Sequence, residues 1–314
     1  MHPFARGSIS LRLYPHLDLA APEIVEELCA QAGLAIECGF DGVMTSEHHG
    51  GFAGYLPNPL QAAGFVLGAM PSGWAAPCPL LLPLRAPALV AEEAAWLAAR
   101  YPDRVGLGLA AGALPADFEI MGLDLEGLTQ RFAAALGEVA RLLTHGDPGG
   151  PLAADPAIAR CAQHPVPLLS AASSVTAAQR AAGCGVGLLL DSLTTPERCH
   201  ELIDAFHAAG GTAPCVLIRR AWVGEPLVAE IAQQLDVYRE YAPPNAQAHW
   251  GDDEQHSASN PGEVVDLLLD ALRRSGADAL NVRVHVAGVP PAAAREQIKR
   301  IGTDVLPAVR AALH

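Results

Sequence analysis

Two adjacent histidines and a glutamate follow a short apolar run in the first sixth of the chain. Residues 43–45 lead directly into Ser46, Glu47, His48 and His49, and a pair of glycines comes next. This pattern is typical of a buried strand whose C-terminal end opens into a polar site. Imidazoles and a carboxylate can exchange protons near neutral pH, bind a metal ion, or hydrogen-bond one another inside a core. The segment alone leaves all three roles open.

A metal site, such as that of a metal-dependent hydrolase, is the least favoured role. Adjacent side chains of an extended segment point to opposite sides, so His48 and His49 would not both reach one ion. Further ligands, for example His285, would have to come from other strands. We therefore favour a catalytic His48 supported by Glu47 or His49, with a structural histidine in the core as the alternative.

Composition narrows the class of protein. The chain has 314 residues, of which 51% are apolar and 17% charged, and its formal net charge is −14. With only 20 Lys and Arg, we expect no nucleic-acid partner. No apolar run reaches the roughly 20 residues of a membrane span, and the N-terminus lacks an apolar signal segment. The seven cysteines have no CxxC spacing, which favours reduced thiols in a cytoplasmic protein.

Apolar alternation and helical periodicity divide the chain into eight strand–helix units. The predicted strands cover residues 9–13, 43–46, 74–83, 105–109, 166–170, 186–190, 215–223 and 279–286. A longer segment, with a helix near 227–241 and a polar loop at 242–260, is inserted before the last unit. The pattern predicts a single closed (β/α)₈ barrel domain over residues 1–314. An open doubly wound sheet is less favoured, because the first turn lacks a glycine-rich GxGxxG segment.

In such a barrel the active site lies at the C-terminal ends of the strands. The last predicted strand places Asn281, Arg283 and His285 on one face and valines on the other. The three polar side chains would point into the barrel, where buried polar groups need partners or a ligand. For Arg283, a ligand-binding role and a structural ion pair both remain open.

Small hydroxyl residues follow the fifth predicted strand, in the segment SAASSVTAAQRAAG. Ser173, Ser174 and Thr176 stand at the start of a helix, where backbone N–H groups and the helix dipole favour an anion such as phosphate. Ordinary N-capping by Ser173 or Ser174 explains the same residues.

With these segments in place, the chain resembles the bacterial luciferase-like family of flavin-dependent monooxygenases and deazaflavin-dependent oxidoreductases. Five segments match the family in order: GFDGVMTSEHHG, LLLPLRAPALVAEEAAWL, DFEIMGLDLEG, SSVTAAQRAAGCG and GTDVLPAVR. The resemblance runs through most of the chain and is strongest over residues 39–143. It implies a TIM barrel of the luciferase-like type and a flavin or deazaflavin cofactor.

The resemblance also implies roles for individual residues. His48 matches the histidine that lies beside the reacting edge of the flavin and acts in acid–base steps. Glu92 matches the acidic residue of the AE(E/D) motif near the flavin. Ser173, Ser174 and Thr176 match the residues that hold the flavin phosphate, which strengthens the phosphate interpretation of that segment.

The family often has a cis peptide in a bulge of the third strand, where it supports the isoalloxazine ring. The matching bond is Cys78–Pro79, and because a cis bond before proline costs only about 0.5–1 kcal/mol, we predict that it is cis. Glu47 is placed with Cys78 and Pro79 on the cofactor side of the site. The remaining candidates are assigned to the substrate pocket: His49, Arg283 and His285.

Two positions depart from the family pattern. Arginines that often grip the flavin phosphate are replaced here by Ala111 and Thr129. Charge-assisted hydrogen bonds contribute about 1.5–3 kcal/mol each. Hydroxyls and backbone amides would therefore have to hold the phosphate, unless the cofactor binds differently or weakly.

The first functional hypothesis is a monooxygenase that uses reduced FMN, supplied by a separate flavin reductase, and oxygen on a small, apolar organic substrate. A variant uses the deazaflavin coenzyme for hydride transfer without oxygen. A third hypothesis is a non-catalytic barrel subunit or flavin carrier. Residues 242–260 would serve as a lid that excludes water. The resemblance also implies a homodimer, to which the apolar helix at residues 57–70 would contribute.

Overall fold

Parallel strands form a barrel at the centre of the molecule. The structure, a computed structural model, describes residues 1–52, 54–241, 247, 250 and 256–313. The strands are β1 (Ile9–Arg12), β2 (Gly42–Thr45), β3 (Trp74–Pro77), β4 (Leu80–Leu81), β5 (Leu107–Ala110), β6 (Leu168–Ala171), β7 (Gly187–Leu190), β8 (Cys215–Val223), β9 (His256–Ala258) and β10 (Ala279–Arg283). Their order is β3-β2-β1-β10-β8-β7-β6-β5-β4, with β9 added to β8. A bridge between Ala75 and Val105 brings β3 against the entry to β5, so the barrel is nearly closed, and the predicted fold is confirmed.

Helices alternate with these strands and surround the barrel. They are α1 (Ala21–Glu37), α2 (Pro59–Ala69), α3 (Pro87–Arg100), α4 (Pro115–Ile120), α5 (Leu128–His145), α6 (Pro156–Arg160), α7 (Val175–Gly183), α8 (Pro196–Ala208), α9 (Val228–Tyr241), α10 (Pro261–Ser275), α11 (Pro291–Arg300) and α12 (Leu306–Leu313). Many begin with proline, whose fixed φ and missing N–H suit the first helical turn. Each helix in the described part of the chain is too short or too polar to cross a membrane.

Two apolar layers follow from the alternation of side chains along the strands. Outward side chains such as Val43 and Leu217 pack against the helices in the larger cluster. Inward side chains such as Met44 and Trp74 fill the barrel in a smaller cluster. Gly42 permits this inner packing, because a Cβ at that position would come within 2.1 Å of the Trp74 ring.

The structure differs from the sequence prediction in the third strand and shows a further helix after β5. The third strand, predicted as continuous over residues 74–83, is divided into β3 and β4 at Cys78–Pro79, where proline has no N–H for the strand ladder. The Cys78–Pro79 bond is cis, as predicted. Between β5 and α5 the chain forms the short helix α4, with Asp117 in its first turn, where the helix dipole favours an acidic residue.

The last strand is also shorter than predicted. It ends at Arg283 rather than at residue 286, and Arg283 Nε donates to the carbonyl oxygen of His285 at 3.2 Å. His285 therefore lies beyond the strand. The predicted insertion contributes α9 and β9. Much of the segment expected to act as a lid lies outside the described residues, namely 242–246, 248–249 and 251–255.

Candidate active site

A cavity of about 350 Å³ opens at the C-terminal ends of the barrel strands. Aromatic side chains line one part of it, including Tyr14, Tyr55 and Trp250. Small residues line the part that follows β5 and β6, at positions 110–112 and 171–173. Large planar side chains on one side and little side-chain bulk on the other leave room for a flat ligand.

His48 lies at the edge of this cavity and is held by a buried carboxylate. Its Nδ1 is 2.7 Å from Oδ2 of Asp117, and the backbone N–H of His49 donates to Oδ1 of the same residue at 2.7 Å. A carboxylate on Nδ1 fixes the orientation of the imidazole ring. The Tyr55 ring packs edge-on against the imidazole, with 4.5 Å between ring centroids.

Sequence reasoning did not identify Asp117 as the partner of His48. The two residues are 69 positions apart in the sequence. The DFEIMG segment was a usable signal, because it follows the fourth strand and therefore had to reach the same end of the barrel as His48.

Glu47 and His49 belong to a second buried cluster, next to the bulge between β3 and β4. The Glu47 carboxylate accepts hydrogen bonds from His49 Nε2 at 2.8 Å, from Arg85 Nη1 at 2.5 Å and from the backbone N–H of Leu81 at 2.7 Å. These three donors occupy the carboxylate, so it supports the loop and the bulge. Among the described residues that line the cavity, Glu47 is present and His49 is absent.

The bulge itself forms part of the cavity wall. Pro79 and Leu81 line the cavity, while Cys78 lies behind them and is buried, and its carbonyl oxygen accepts a hydrogen bond from Arg12 Nη1 at 2.9 Å. Burial raises the pKa of the Cys78 thiol to about 12, so the side chain contributes packing rather than a reactive thiolate. Gly108 on β5 makes room for it, because a Cβ there would lie 2.1 Å from the Cys78 sulfur.

The start of helix α7 borders the cavity on the β6 side. Ser173 lines the cavity. Ser174 is the N-cap residue, and its Oγ accepts a hydrogen bond from the backbone N–H of Ala177 at 3.2 Å. Thr176 is exposed in the first turn and is not among the described residues of the cavity wall. Ser174 therefore has the capping role that the sequence left as one alternative, while the anion-binding role stays a prediction.

The two positions that lack the family arginines differ in location. Ala111 lines the cavity, whereas Thr129 is exposed on α5. Arg131, two residues further along α5, donates to the backbone carbonyl oxygens of Asp124 and Glu126. It stabilises its own loop in this arrangement.

A buried arginine and two tyrosines form the opposite part of the wall. Arg283 Nη2 donates to Oε1 of Gln234 at 2.7 Å and to the hydroxyl of Tyr238 at 3.1 Å. Its guanidinium carbon lies 4.4 Å from the centre of the Tyr14 ring. The hydroxyls of Tyr238 and Tyr55 are 2.8 Å apart. We call Tyr55, Tyr238 and Arg283 the phenol wall.

The charge of Arg283 alters the acidity of the phenol wall. Burial would lower the pKa of Arg283, but the phenol groups of Tyr14 and Tyr238 outweigh it and the pKa stays above its ordinary value. Burial would raise the pKa of Tyr238, yet the positive charges of Arg283 and Arg220 lower it. Within the described residues Arg283 has neutral hydrogen-bond partners, so the structural ion pair considered from the sequence is not found there.

His285 lies outside the central cavity. Its ring stacks on Tyr14 at 5.4 Å and meets His16 edge-on at 4.6 Å. It borders a separate cavity of about 270 Å³ beside the loop after β1. Burial is the main cause that lowers the pKa of His285 well below its ordinary value, so the ring is neutral near pH 7.

Two other sequence expectations concern the metal hypothesis and Glu92. The described residues contain no group of three His, Cys, Asp or Glu side chains that could hold a metal ion, and His48 and His49 contact different carboxylates. Glu92 is partly exposed on α3 and is not among the described residues that line the central cavity.

Ser46 is a cavity residue that sequence reasoning left without a role. Its Oγ is buried and has no hydrogen-bond partner among the described residues, and the residue lines the cavity. A buried hydroxyl without a partner is costly, so this atom is suited to a polar group of a ligand. Together with the flat surface of Pro79 and Leu81, it fits a planar ring with a polar edge.

Comparisons with known proteins cover most of the chain. The family model described as luciferase-like monooxygenase matches residues 11–261. The alkanal monooxygenase alpha chain of Photorhabdus laumondii is 27% identical over 136 residues, which make up 43% of this chain and 38% of that protein. An uncharacterized protein of Mycobacterium tuberculosis is 44% identical over 68 residues, 22% of this chain and 23% of that protein. The chain therefore matches less than half the length of these curated relatives.

Solved structures share the fold along nearly the whole chain. Monooxygenase RslO1 from Streptomyces bottropensis has a TM-score of 0.78 and 21% identity, with 96% of this chain and 99% of that chain covered. The oxygenating constituent of 3,6-diketocamphane monooxygenase from Pseudomonas putida, in complex with FMN, has a TM-score of 0.78, 16% identity, and coverage of 96% and 98%. An F420-dependent secondary alcohol dehydrogenase with an F420-acetone adduct has a TM-score of 0.72, 18% identity, and coverage of 96% and 98%. At these identities the likeness shows a common fold.

Proposed function

The chain belongs to the luciferase-like monooxygenases, and from this premise we propose that it oxygenates a small organic substrate with reduced FMN and oxygen. The observation that carries the proposal is the position of His48. Its ring is oriented by Asp117 at 2.7 Å and lies at the edge of a cavity that could take a flat cofactor.

The cavity residues fit FMN as the cofactor. Pro79 and Leu81 would hold the ring system, Ser46 Oγ would bind its polar edge, and Ser173 with the amides of α7 would bind the phosphate. When bound, FMN supplies the electrons with which oxygen is activated. Because Ala111 offers no charge to the phosphate, we expect binding to depend strongly on the α7 end.

His48 would move protons for the reaction. With Nδ1 held by Asp117, Nε2 is the ring nitrogen that would exchange a proton with the ligand. Asp117 would stabilise the imidazolium that forms. The loop position is kept by the Glu47 cluster, whose hydrogen bonds join the residues before His48 to β4.

The substrate and partners of this proposal follow from the surroundings of the cavity. A small, largely apolar molecule fits a wall that includes Leu189 and Ile218, and the name of the curated Photorhabdus relative specifies an alkanal. Reduced FMN would come from a separate flavin reductase. A homodimer would form through α2 and α3, where Phe65 and Trp96 are 46% and 54% exposed.

A deazaflavin coenzyme is the second candidate cofactor, because a neighbour with the same fold holds F420 in a complex. Anaerobic titration with reduced FMN and with the reduced deazaflavin coenzyme, followed by mixing with oxygen, separates the two. We expect micromolar or tighter binding of reduced FMN and oxygen-dependent turnover that His48→Ala abolishes. Binding of the deazaflavin alone would assign hydride transfer instead. FMN binding with no turnover would assign a non-catalytic flavin carrier.

A further inference from the structure

The phenol wall contains a buried charge that no carboxylate in the described part of the chain compensates. Arg283 is 4% exposed. Its hydrogen bonds run to an amide oxygen, a phenol hydroxyl and a backbone carbonyl oxygen. A buried guanidinium is costly unless negative charge lies close to it. An anionic group of a ligand in the adjoining cavity would supply that charge.

Among the residues that the structure describes, the two carboxylates that border the cavity, Glu47 and Asp191, are already used elsewhere. Glu47 is bound by three donors, as described above. Asp191 Oδ1 accepts hydrogen bonds from the backbone N–H groups of Leu193 and Thr194 at 2.8 and 2.9 Å, and Oδ2 accepts one from the Thr194 hydroxyl at 3.0 Å. Arg12, which also lines the cavity, donates to the side-chain oxygen of Asn281 at 2.8 Å and to the Cys78 carbonyl oxygen at 2.9 Å, both neutral.

The phenol wall lies across the barrel from the phosphate end proposed for FMN. In the order of the strands, β10, β8 and β7 separate β1 from β6, which leads to Ser173. The phenol wall belongs to the β1 and β10 side, together with the ring of Tyr14. A second molecule, next to the ring end of the cofactor, would therefore meet this wall rather than α7.

We propose that Tyr55, Tyr238 and Arg283 bind the ionised oxygen of a phenolic or enolic substrate. This inference rests on the proposed monooxygenase function, since it names the substrate class of the same site. On binding, the O–H bond of the substrate breaks heterolytically, the proton passes to solvent, and the electron pair stays on oxygen. That oxygen then accepts a hydrogen bond from the member of the tyrosine pair whose hydroxyl does not donate to the other, while Arg283 compensates its charge.

The side chains around the phenol wall suit a phenolic or enolic substrate in both shape and charge. The rings of Tyr14, Tyr55 and Trp250 suit a planar, unsaturated ligand. The lowered pKa of Tyr238 shows that the local charge favours a phenolate over a phenol. Ionisation also makes the ring or double bond of such a substrate richer in electrons, and hence easier to oxygenate.

Several titratable or charged groups face this position from the surrounding elements. They are Arg12 and Tyr14 from β1 and its loop, His48 and Tyr55 after β2, Asp191 after β7, Arg220 from β8, Tyr238 from α9, and Arg283 and His285 from the end of β10. His285 is neutral near pH 7 because its pKa is lowered by burial. Arginines, which stay charged over the whole accessible pH range, supply positive charge near the phenol wall.

The experiment uses 4-nitrophenol, whose anion and neutral form absorb at different wavelengths. The full-length protein is titrated with the probe at several pH values, and the pKa of the bound probe is compared with that of the free probe. We expect the pKa of bound 4-nitrophenol to lie about one to three below the pKa of the free probe. A positive charge within about 4–6 Å of an acidic group has an effect of that size. A bound probe with the pKa of the free molecule or a higher one, or no saturable binding, would overturn the inference.

Three variants connect the spectrum with the phenol wall. Arg283→Gln and Tyr238→Phe should return the pKa of the bound probe toward that of the free probe, the former further because it removes the charge. Ser192→Ala, a hydroxyl deletion after β7 in the wall of the same cavity, is the matched control and should leave the probe spectrum unchanged. Unchanged probe pKa in both phenol-wall variants refutes the assignment, and the wild-type spectrum decides the outcome even where a variant does not fold.

A parallel titration with reduced FMN keeps the two proposals apart. Protein that binds reduced FMN but leaves nitrophenol neutral refutes the phenol-wall inference alone. Protein that binds nitrophenolate with Arg283-dependent affinity but binds no flavin refutes the monooxygenase proposal and keeps the anion site.

Discussion

The two sides of the cavity satisfy their charges in different ways. On the His48 side, Asp117 and Glu47 are carboxylates that bind the imidazoles of His48 and His49 and the guanidinium of Arg85. On the phenol-wall side, a buried arginine is bound by neutral groups within the described residues. The first side is complete without a ligand and can hold a fixed orientation. In our proposal the second side gains free energy when an anion arrives, which is typical of a binding surface.

The strongest test of the His48 side of the cavity is the variant His48→Ala. Turnover should fall by about 10²- to 10⁴-fold, because the proton-transfer group is lost, while binding of reduced FMN remains. Rates are measured under single-turnover and steady-state conditions. His164→Ala, at an exposed histidine far along the chain, serves as the control. If His48→Ala turns over at the wild-type rate, His48 has no acid–base role.

Asp117→Asn refines the same test. The amide can still contact the ring but cannot stabilise its protonated form, so the loss should be smaller than that of His48→Ala. A loss larger than that of His48→Ala would indicate that Asp117 acts mainly by holding the loop.

The second largest effect should come from Glu47→Ala, which leaves the Arg85 charge without its buried partner. Breaking a buried ion pair costs about 3–5 kcal/mol, and Arg85 is partly exposed, so we expect the lower end of that range. Urea unfolding measures the change. Glu92→Ala, at a partly exposed carboxylate on α3, should stay within about 0.5 kcal/mol of wild type. Similar losses in both variants would contradict the supporting role of Glu47.

Acid should destabilise the protein through the neutral histidines behind the phenol wall. Burial is the largest cause lowering the pKa of both His285 and His16 in the folded state. The unfolded chain therefore binds more protons, and stability falls as pH drops below the ordinary value of 6.5. Each histidine contributes up to about 1.4 kcal/mol per pH unit. His285→Gln should flatten the decline seen in urea unfolding between pH 7 and 5; an unchanged slope would contradict it.

The smallest predicted effects separate the two serines of α7. Ser174→Ala should lower stability by about 1 kcal/mol through loss of the N-cap, with FMN affinity kept. Ser173→Ala should weaken FMN binding by about 0.5–1.5 kcal/mol, with stability kept. Thermal unfolding and anaerobic FMN titration measure the two quantities. The reverse assignment would place the phosphate on Ser174.

The elements of the barrel could be predicted from sequence because each depends on local pattern. Period-two apolar runs mark the strands, and proline or an acidic first turn marks most helix starts. The cis Cys78–Pro79 bond was predicted because proline lowers the cost of that geometry at a position the family resemblance indicated. The predicted end of the last strand was wrong, because the Arg283 guanidinium binds the carbonyl oxygen of His285 and the strand ends at Arg283.

The partners of the site residues could not be predicted in the same way. Glu47 was expected beside the cofactor and lines the cavity, but the sequence did not predict that its carboxylate binds His49, Arg85 and the Leu81 amide. The tyrosine pair joins residues 183 positions apart, on a loop and on the inserted helix. Sequence spacing carries no information on such pairs, because their distance is set by how α9 packs over the mouth of the barrel.

By itself, the sequence determined the (β/α)₈ barrel, the position of His48 at its open end and the small hydroxyl residues at the start of α7. Those features depend on side-chain alternation and on local backbone preferences, which act over a few residues. Only the tertiary structure decided that Asp117 orients His48, that Glu47 supports the bulge, and that Arg283 binds the Tyr238 hydroxyl. Such contacts depend on the distance in space between elements that are remote in the chain. For buried charges, that distance sets the strength of the interaction, because the protein interior screens charge less than water does.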